Sequence, residues 1–247
     1  MKRLFAAFLI IIPLACKESS KSHLTAQEIV DRSIEASGGM HYADHNTSFF
    51  FRDRKYISEN VDGKKILKRI TFLDTVMVTD IRGEKSFQRF MNDSLVAISD
   101  SIANRYANSV NSVHYFARLP YGLNDGAVNK ELLGEETIKG KEYYKIKVTF
   151  EQQGGGKDFD DTYMYWFDKQ TFKPNYLAYD FHVDGGGQRF REAFNERYVN
   201  GIRFADYHNY KPKLEGVDVS EMGKLFEKGE LELLSKIELE KIEVTGS

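Results

Sequence analysis

The chain has 247 residues, 35 Lys and Arg against 37 Asp and Glu, a formal net charge of −2 and a single cysteine. The near balance of charge, with no dense basic block, argues against nucleic acid as a partner. One thiol excludes an internal disulfide or a paired-cysteine metal site, and 18 Phe with 14 Tyr suit strands that fill an interior with rings.

In chain order, Lys2 and Arg3 precede an apolar run of 11 residues from Leu4 to Leu14, followed by Ala15 and Cys16. A charged start, a short greasy core and a small residue at the boundary form a secretory signal. A helix needs about 20 residues to cross a bilayer, so a permanent span is the weaker reading. Leu14-Ala15-Cys16 resembles the bacterial lipoprotein signal, in which the Cys is acylated and becomes the new N-terminus; Pro13 stands where that class usually has Leu. The expected organisation is therefore a cleaved signal over 1–15, a lipidated tether over 16–23 attached through Cys16, and one domain over 24–247. Acyl chains contribute about 0.8 kcal/mol per buried methylene, so three of them would hold the chain to a membrane. With Lys2 and Arg3 removed, 33 basic and 37 acidic side chains remain.

Thr25 and Glu28 have the spacing of a capping box, with Leu24 and Ile29 as its hydrophobic staple. The pattern predicts a helix over 25–37, ended by Gly38-Gly39. Extended runs rich in Phe, Tyr, Val and Ile then predict strands over 48–59, 65–73, 75–81 and 85–91. From Ser94 to Ala117 the apolar residues recur at three- and four-residue steps, so a helix is inserted there. Strands resume over 132–138, 141–152, 160–167, 174–183, 189–198 and 202–210, separated by turns such as Gly154-Gly155-Gly156 and Asn200-Gly201. A short polar, helix-compatible stretch from Val219 to Lys228 leads to a last strand over 231–244. That is about 11 strands in one domain.

His41, Asp44 and His45 could share a metal if the first helix continued through them, but Gly38-Gly39 argues against continuity. Asp158, Asp160 and Asp161 are acidic enough for calcium yet lack the Gly and terminal Glu of a calcium loop. No G-x-S-x-G elbow is present, so no catalytic residue and no cofactor are assigned.

Leu24-Thr25-Ala26-Gln27-Glu28-Ile29-Val30, Gly140-Lys141-Glu142-Tyr143-Tyr144-Lys145-Ile146 and Trp166-Phe167-Asp168-Lys169-Gln170-Thr171-Phe172-Lys173-Pro174 resemble the first helix and central hairpins of the LolA/LolB-like superfamily of lipoprotein carriers and receptors. The resemblance spans roughly residues 24–244. It implies a mostly β (α+β) fold: an open, curved antiparallel half-barrel of about 11 strands, with an N-terminal helix and a helical lid over a cavity for acyl chains. It further implies a cell-envelope protein that binds a lipid or acylated peptide. Lys17 after the Cys, in place of an Asp, favours the outer membrane over the inner. The candidate wall residues are Phe72, Phe90, Trp166, Tyr176 and Phe181 from strands, with Ile102, Tyr106 and Phe116 from the lid. Two other readings stand beside this one: a metal-assisted enzyme built on His41, Asp44 and His45, and a structural lipoprotein whose interior is packed solid.

Overall fold

A computed structural model of the protein describes residues 24–153, 160–182 and 185–246. The signal segment, Cys16, the tether, the triple glycine at 154–156 and Asp158 lie outside the described residues.

Thr25 opens helix α1 (Ala26–Ala36). Its hydroxyl accepts from the Glu28 backbone N–H at 3.2 Å, and the Glu28 carboxylate accepts from the Thr25 backbone N–H at 2.8 Å. These bonds satisfy two of the donors that a helix start leaves orphaned. The helix buries Ala26, Ile29, Val30 and Ser33. Beyond it Gly38 has φ +135°, and a Cβ there would lie 2.9 Å from the Gly201 carbonyl oxygen. Glycine is thus what lets the helix end press against a distant turn.

A single helical turn, α2 (His41–Asp44), leads into β1 (His45–Phe51), β2 (Arg54–Val61), β3 (Lys64–Leu73), β4 (Val76–Arg82), β5 (Phe87–Met91) and the two-residue β6 (Ser94–Leu95). The single strand expected over 48–59 is two strands. Arg52 turns the chain with φ +57°, and Phe51 pairs with Arg54 across it. Helix α3 (Asp100–Ala117) starts later than its apolar spacing indicates, because Ser94 and Leu95 pair with β5. Then come β7 (Val128–Ile138), β8 (Lys141–Phe150), β9 (Tyr163–Asp168), β10 (Pro174–Phe181), β11 (Gly187–Val199), β12 (Ile202–Pro212), the short helix α4 (Met222–Glu227), β13 (Leu231–Ile237) and β14 (Leu239–Gly246).

The strands form two seven-stranded antiparallel sheets, ordered β14-β1-β2-β3-β4-β5-β6 and β13-β12-β11-β10-β9-β8-β7. The last expected strand, 231–244, breaks at Glu238: β13 pairs with β12 in the second sheet and β14 with β1 in the first. One stretch of chain therefore carries the surface around the corner, giving an open, curved β fold that does not close into a barrel.

Helix α1 packs against one face of the second sheet, where Ile29 and Val30 meet Ile146, Tyr165, Phe167 and Leu177. Helix α4 covers the other face, where Met222 meets Trp166, Tyr176 and Phe190. Between these layers β9 is buried on both sides. A third cluster joins Phe49, Tyr56 and Val244 of the first sheet to Ala117 of α3 and Phe204 of β12. All three clusters of buried residues fall within residues 26–244.

Candidate functional site

Helix α3 is fixed to the first sheet. Arg69 of β3 donates through Nη1 to the Ser109 hydroxyl at 2.8 Å, and His114 Nε2 lies 3.1 Å from the Lys68 carbonyl oxygen. The C-terminal half of α3 looks across at the second sheet, and between them lies a cavity of about 690 Å³. That volume suits a medium-sized organic ligand.

Strand register explains which side chains face the cavity. Tyr165 on β9 pairs with Leu177 on β10, Leu177 with Arg191 on β11, Arg191 with Asn209 on β12, and Asn209 with Ser235 on β13. Partners across an antiparallel ladder share a face, as do residues two apart along a strand. The neighbouring row runs Tyr163, Tyr179, Arg189. All eight residues line the cavity. Its wall is therefore aromatic on β9 and β10, then cationic on β11 and polar on β12 and β13. From the α3 side come Tyr115 and Phe116; Phe51, Arg52 and Arg82 come from the first sheet.

Of the eight wall residues expected from sequence, Phe116 and Phe181 line the cavity. Trp166 and Tyr176 belong to the opposite face of the second sheet, in contact with the α4 cluster. In the continuous run Tyr163-Met164-Tyr165-Trp166-Phe167, successive side chains alternate between two buried faces. Phe72 is 54% exposed. Tyr106 stacks on Phe87 at 6.3 Å, with the Arg89 guanidinium 3.5 Å from its ring centre. Phe90 pairs with Leu95 at the first sheet's edge, and Ile102 sits in the exposed first half of α3. These six residues lie outside the cavity wall: Trp166 and Tyr176 face α4, Phe72 and Phe90 lie elsewhere on the first sheet, and Ile102 and Tyr106 belong to the first half of α3, whereas only its C-terminal half borders the cavity.

Residues that sequence reasoning missed are Tyr163, Tyr165, Tyr179, Arg189 and Arg191. The Arg191 guanidinium lies 5.1 Å from the Tyr179 ring centre and 5.3 Å from that of Phe116, and its Nη2 donates to the Tyr179 hydroxyl at 2.8 Å. Its Nε is buried without a hydrogen-bond partner, as is the Tyr115 hydroxyl. Burial pushes the Arg82 pKa down and the Tyr115 pKa up. Asp125 is pushed up by burial, against the pull of Arg118 and Lys130.

The rings of His41 and His45 meet edge to face at 4.9 Å, since β1 begins at His45 and the first helix does not continue through them. Asp161 is buried, 3.3 Å from His182 Nδ1, whereas Asp160 is exposed. Among the described residues, no group of three or more His, Cys, Asp and Glu is placed to hold a metal ion. Among the same residues, no helix is long and apolar enough to cross a membrane.

His114 is expected to make the attachment of α3 pH-sensitive. It is 1% exposed, sits edge-on to Phe49 at 5.8 Å and Tyr56 at 5.6 Å, and burial lowers its pKa from 6.5 to about 4, helped by the charges of Arg118, Arg82 and Lys65. The unfolded chain then takes up the proton first. Stability is complete above pH 6.5 and is lost as pH falls towards 4, by up to about 3 kcal/mol. Urea unfolding at pH 7.5 and 5.0 checks this; in His114→Gln the loss across that interval is expected to shrink to under about 1 kcal/mol.

Two antiparallel sheets in an open, curved arrangement, with a helix beside a cavity of about 690 Å³, define a mostly β protein. The chain belongs to the family of unknown function DUF6503, which matches residues 43–239. A search of curated proteins returned no match. Among solved structures, the chain is similar to a LolA superfamily protein from Nitrosomonas europaea at 13% identity, with 90% of this chain and 92% of that one covered and a TM-score of 0.47. A DUF1329 family protein from Desulfovibrio piger is 12% identical, with 90% and 91% covered and a TM-score of 0.48. A protein described as a putative outer membrane lipoprotein-sorting protein domain, from Vibrio parahaemolyticus, is 7% identical, with 87% and 93% covered and a TM-score of 0.36.

Proposed function

We propose that this protein is an envelope lipoprotein, anchored through Cys16 to the outer membrane, that holds the apolar part of an amphiphile between α3 and the second sheet. The observation that carries the reading is the cavity of about 690 Å³ with Tyr163, Tyr165, Tyr179 and Phe116 in its wall. An apolar chain sheltered there gains about 25 cal/mol for each Å² removed from water. The signal-like start supplies the membrane setting, where amphiphiles are concentrated. The chain's own lipid would occupy the tether, leaving the cavity for a second molecule.

The test uses residues 17–247, purified without detergent. Native mass spectrometry is expected to show co-purifying lipid, and a fluorescent fatty acid to bind with a one-to-one stoichiometry. Protein that is folded by circular dichroism, empty in the spectrometer and indifferent to the probe would refute the reading. The anchor is tested separately in the full chain, where Cys16→Ser is expected to move the protein from the membrane to the soluble fraction.

A further inference from the structure

Several arginines within the sheets have a carboxylate close by: Arg69 and Arg89 lie 2.6 and 2.7 Å from Asp80, Arg197 lies 3.0 Å from Asp206, and Arg203 lies 2.6 Å from Glu196. Those that line the cavity, Arg52, Arg82, Arg189 and Arg191, have no carboxylate within 4.0 Å among the described residues. Arg189 donates to the Gln188 carbonyl oxygen at 2.8 Å and lies 5.0 Å from the Phe181 ring centre, so its partners are neutral. Arg191 is held by Tyr179 and Phe116, also neutral.

The two lining carboxylates do not make up the difference. Asp125 is engaged electrostatically by Arg118 and Lys130, and Asp161 faces His182. Unpaired guanidiniums in a half-buried wall are costly unless an anion completes them. A planar guanidinium matches carboxylate and phosphate oxygens in particular. Arg189 and Arg191 are two residues apart on β11, so both project from one face, directly beside the aromatic rows of β9 and β10.

We propose that the cavity's occupant is an anionic single-chain amphiphile, its carboxylate or phosphate head held by Arg189 and Arg191 with Arg82 facing from the first sheet, and its tail laid along Tyr163, Tyr165 and Tyr179. This rests on the amphiphile reading above and adds the charge and polarity of the ligand. It also assigns a direction: the head lies at β11, and the tail runs towards β9.

The experiment compares four probes of equal chain length on residues 17–247: a fatty acid, a lysophosphatidic acid, the matching fatty alcohol and the matching monoacylglycerol. The expected result is that at least one anion binds about tenfold or more tighter than the neutral probes, and that added salt narrows the gap. Whichever anion shows the preference identifies the head as carboxylate or phosphate. In Arg189→Gln/Arg191→Gln the anion-to-neutral ratio is expected to fall below about twofold, and in Arg189→Lys/Arg191→Lys it is expected to survive in part. Neutral probes binding as tightly as the anions to the unmodified chain would overturn the charge assignment while leaving the amphiphile reading intact. Failure of all four probes would overturn both. The comparison on the unmodified chain stands even if the glutamine variant does not fold.

Discussion

Replacing Asp80 by Ala is expected to destabilise the protein by about 3–5 kcal/mol, the cost of breaking a buried ion cluster from one side. Asp80 is 1% exposed and its two oxygens accept four hydrogen bonds: from Arg69 Nε at 3.0 Å and Nη2 at 2.6 Å, and from Arg89 Nε at 2.7 Å and Nη2 at 3.0 Å. Without the carboxylate, the Arg69 guanidinium is left 4% exposed with only the Ser109 hydroxyl as partner. Because Ser109 belongs to α3, the damage extends to the helix that covers the cavity. Urea unfolding measures the loss. Arg69→Met/Asp80→Leu, which removes the charge together with its counter-charge, should recover much of it. A change under about 1 kcal/mol in Asp80→Ala would show that the pair of arginines is not buried as described.

Asp206→Ala is expected to cost about 3 kcal/mol and to act at a different place, the corner where the two sheets join. Asp206 is 2% exposed and accepts from Asn195 Nδ2 at 2.6 Å, Arg197 Nη2 at 3.0 Å and the Leu239 backbone N–H at 2.9 Å. The Leu239 bond fastens the first residue of β14 to β12, and Arg197 donates to the Leu239 carbonyl oxygen at 2.5 Å. These side chains hold the chain where it leaves one sheet for the other. Hydrogen exchange should therefore accelerate first at Leu239 and along β14, ahead of β8 and β9. Uniform acceleration across both sheets would show that the corner is not a separate unit.

The elements signalled by local chemistry were legible from sequence. The Thr25–Glu28 capping box, the Asn200-Gly201 turn and the three- and four-residue apolar spacing before Ala117 each encode their structure within a few residues. The β1–β2 turn was not legible, since Arg52-Asp53 carries no glycine or asparagine, and Arg52 adopts a left-handed conformation that its type rarely takes. Nor was the break at Glu238, which depends on Asp206 and Arg197, more than 30 residues earlier.

The site was harder to read for a related reason. Tyr163 to Phe167 is apolar throughout, so the run identifies a doubly buried strand without saying which residues face which layer. The assignment follows only once α4 is known to cover one face and take Trp166 with it. Likewise Gln188-Arg189-Phe190-Arg191 reads as a solvated strand with one buried ring. Phe190 is fully buried on the α4 side, which turns both arginines to the cavity. The alternation was present in the sequence, but the second covering layer was needed to interpret it.

The most direct test of the central claim is a crystal structure of residues 17–247 with a fatty acid brominated at the end of its tail. The account predicts a bromine anomalous peak between α3 and the Tyr163 and Tyr165 rings, with the carboxylate beside Arg189 and Arg191. A peak on the outer surface, or an empty cavity at saturating probe, would contradict it.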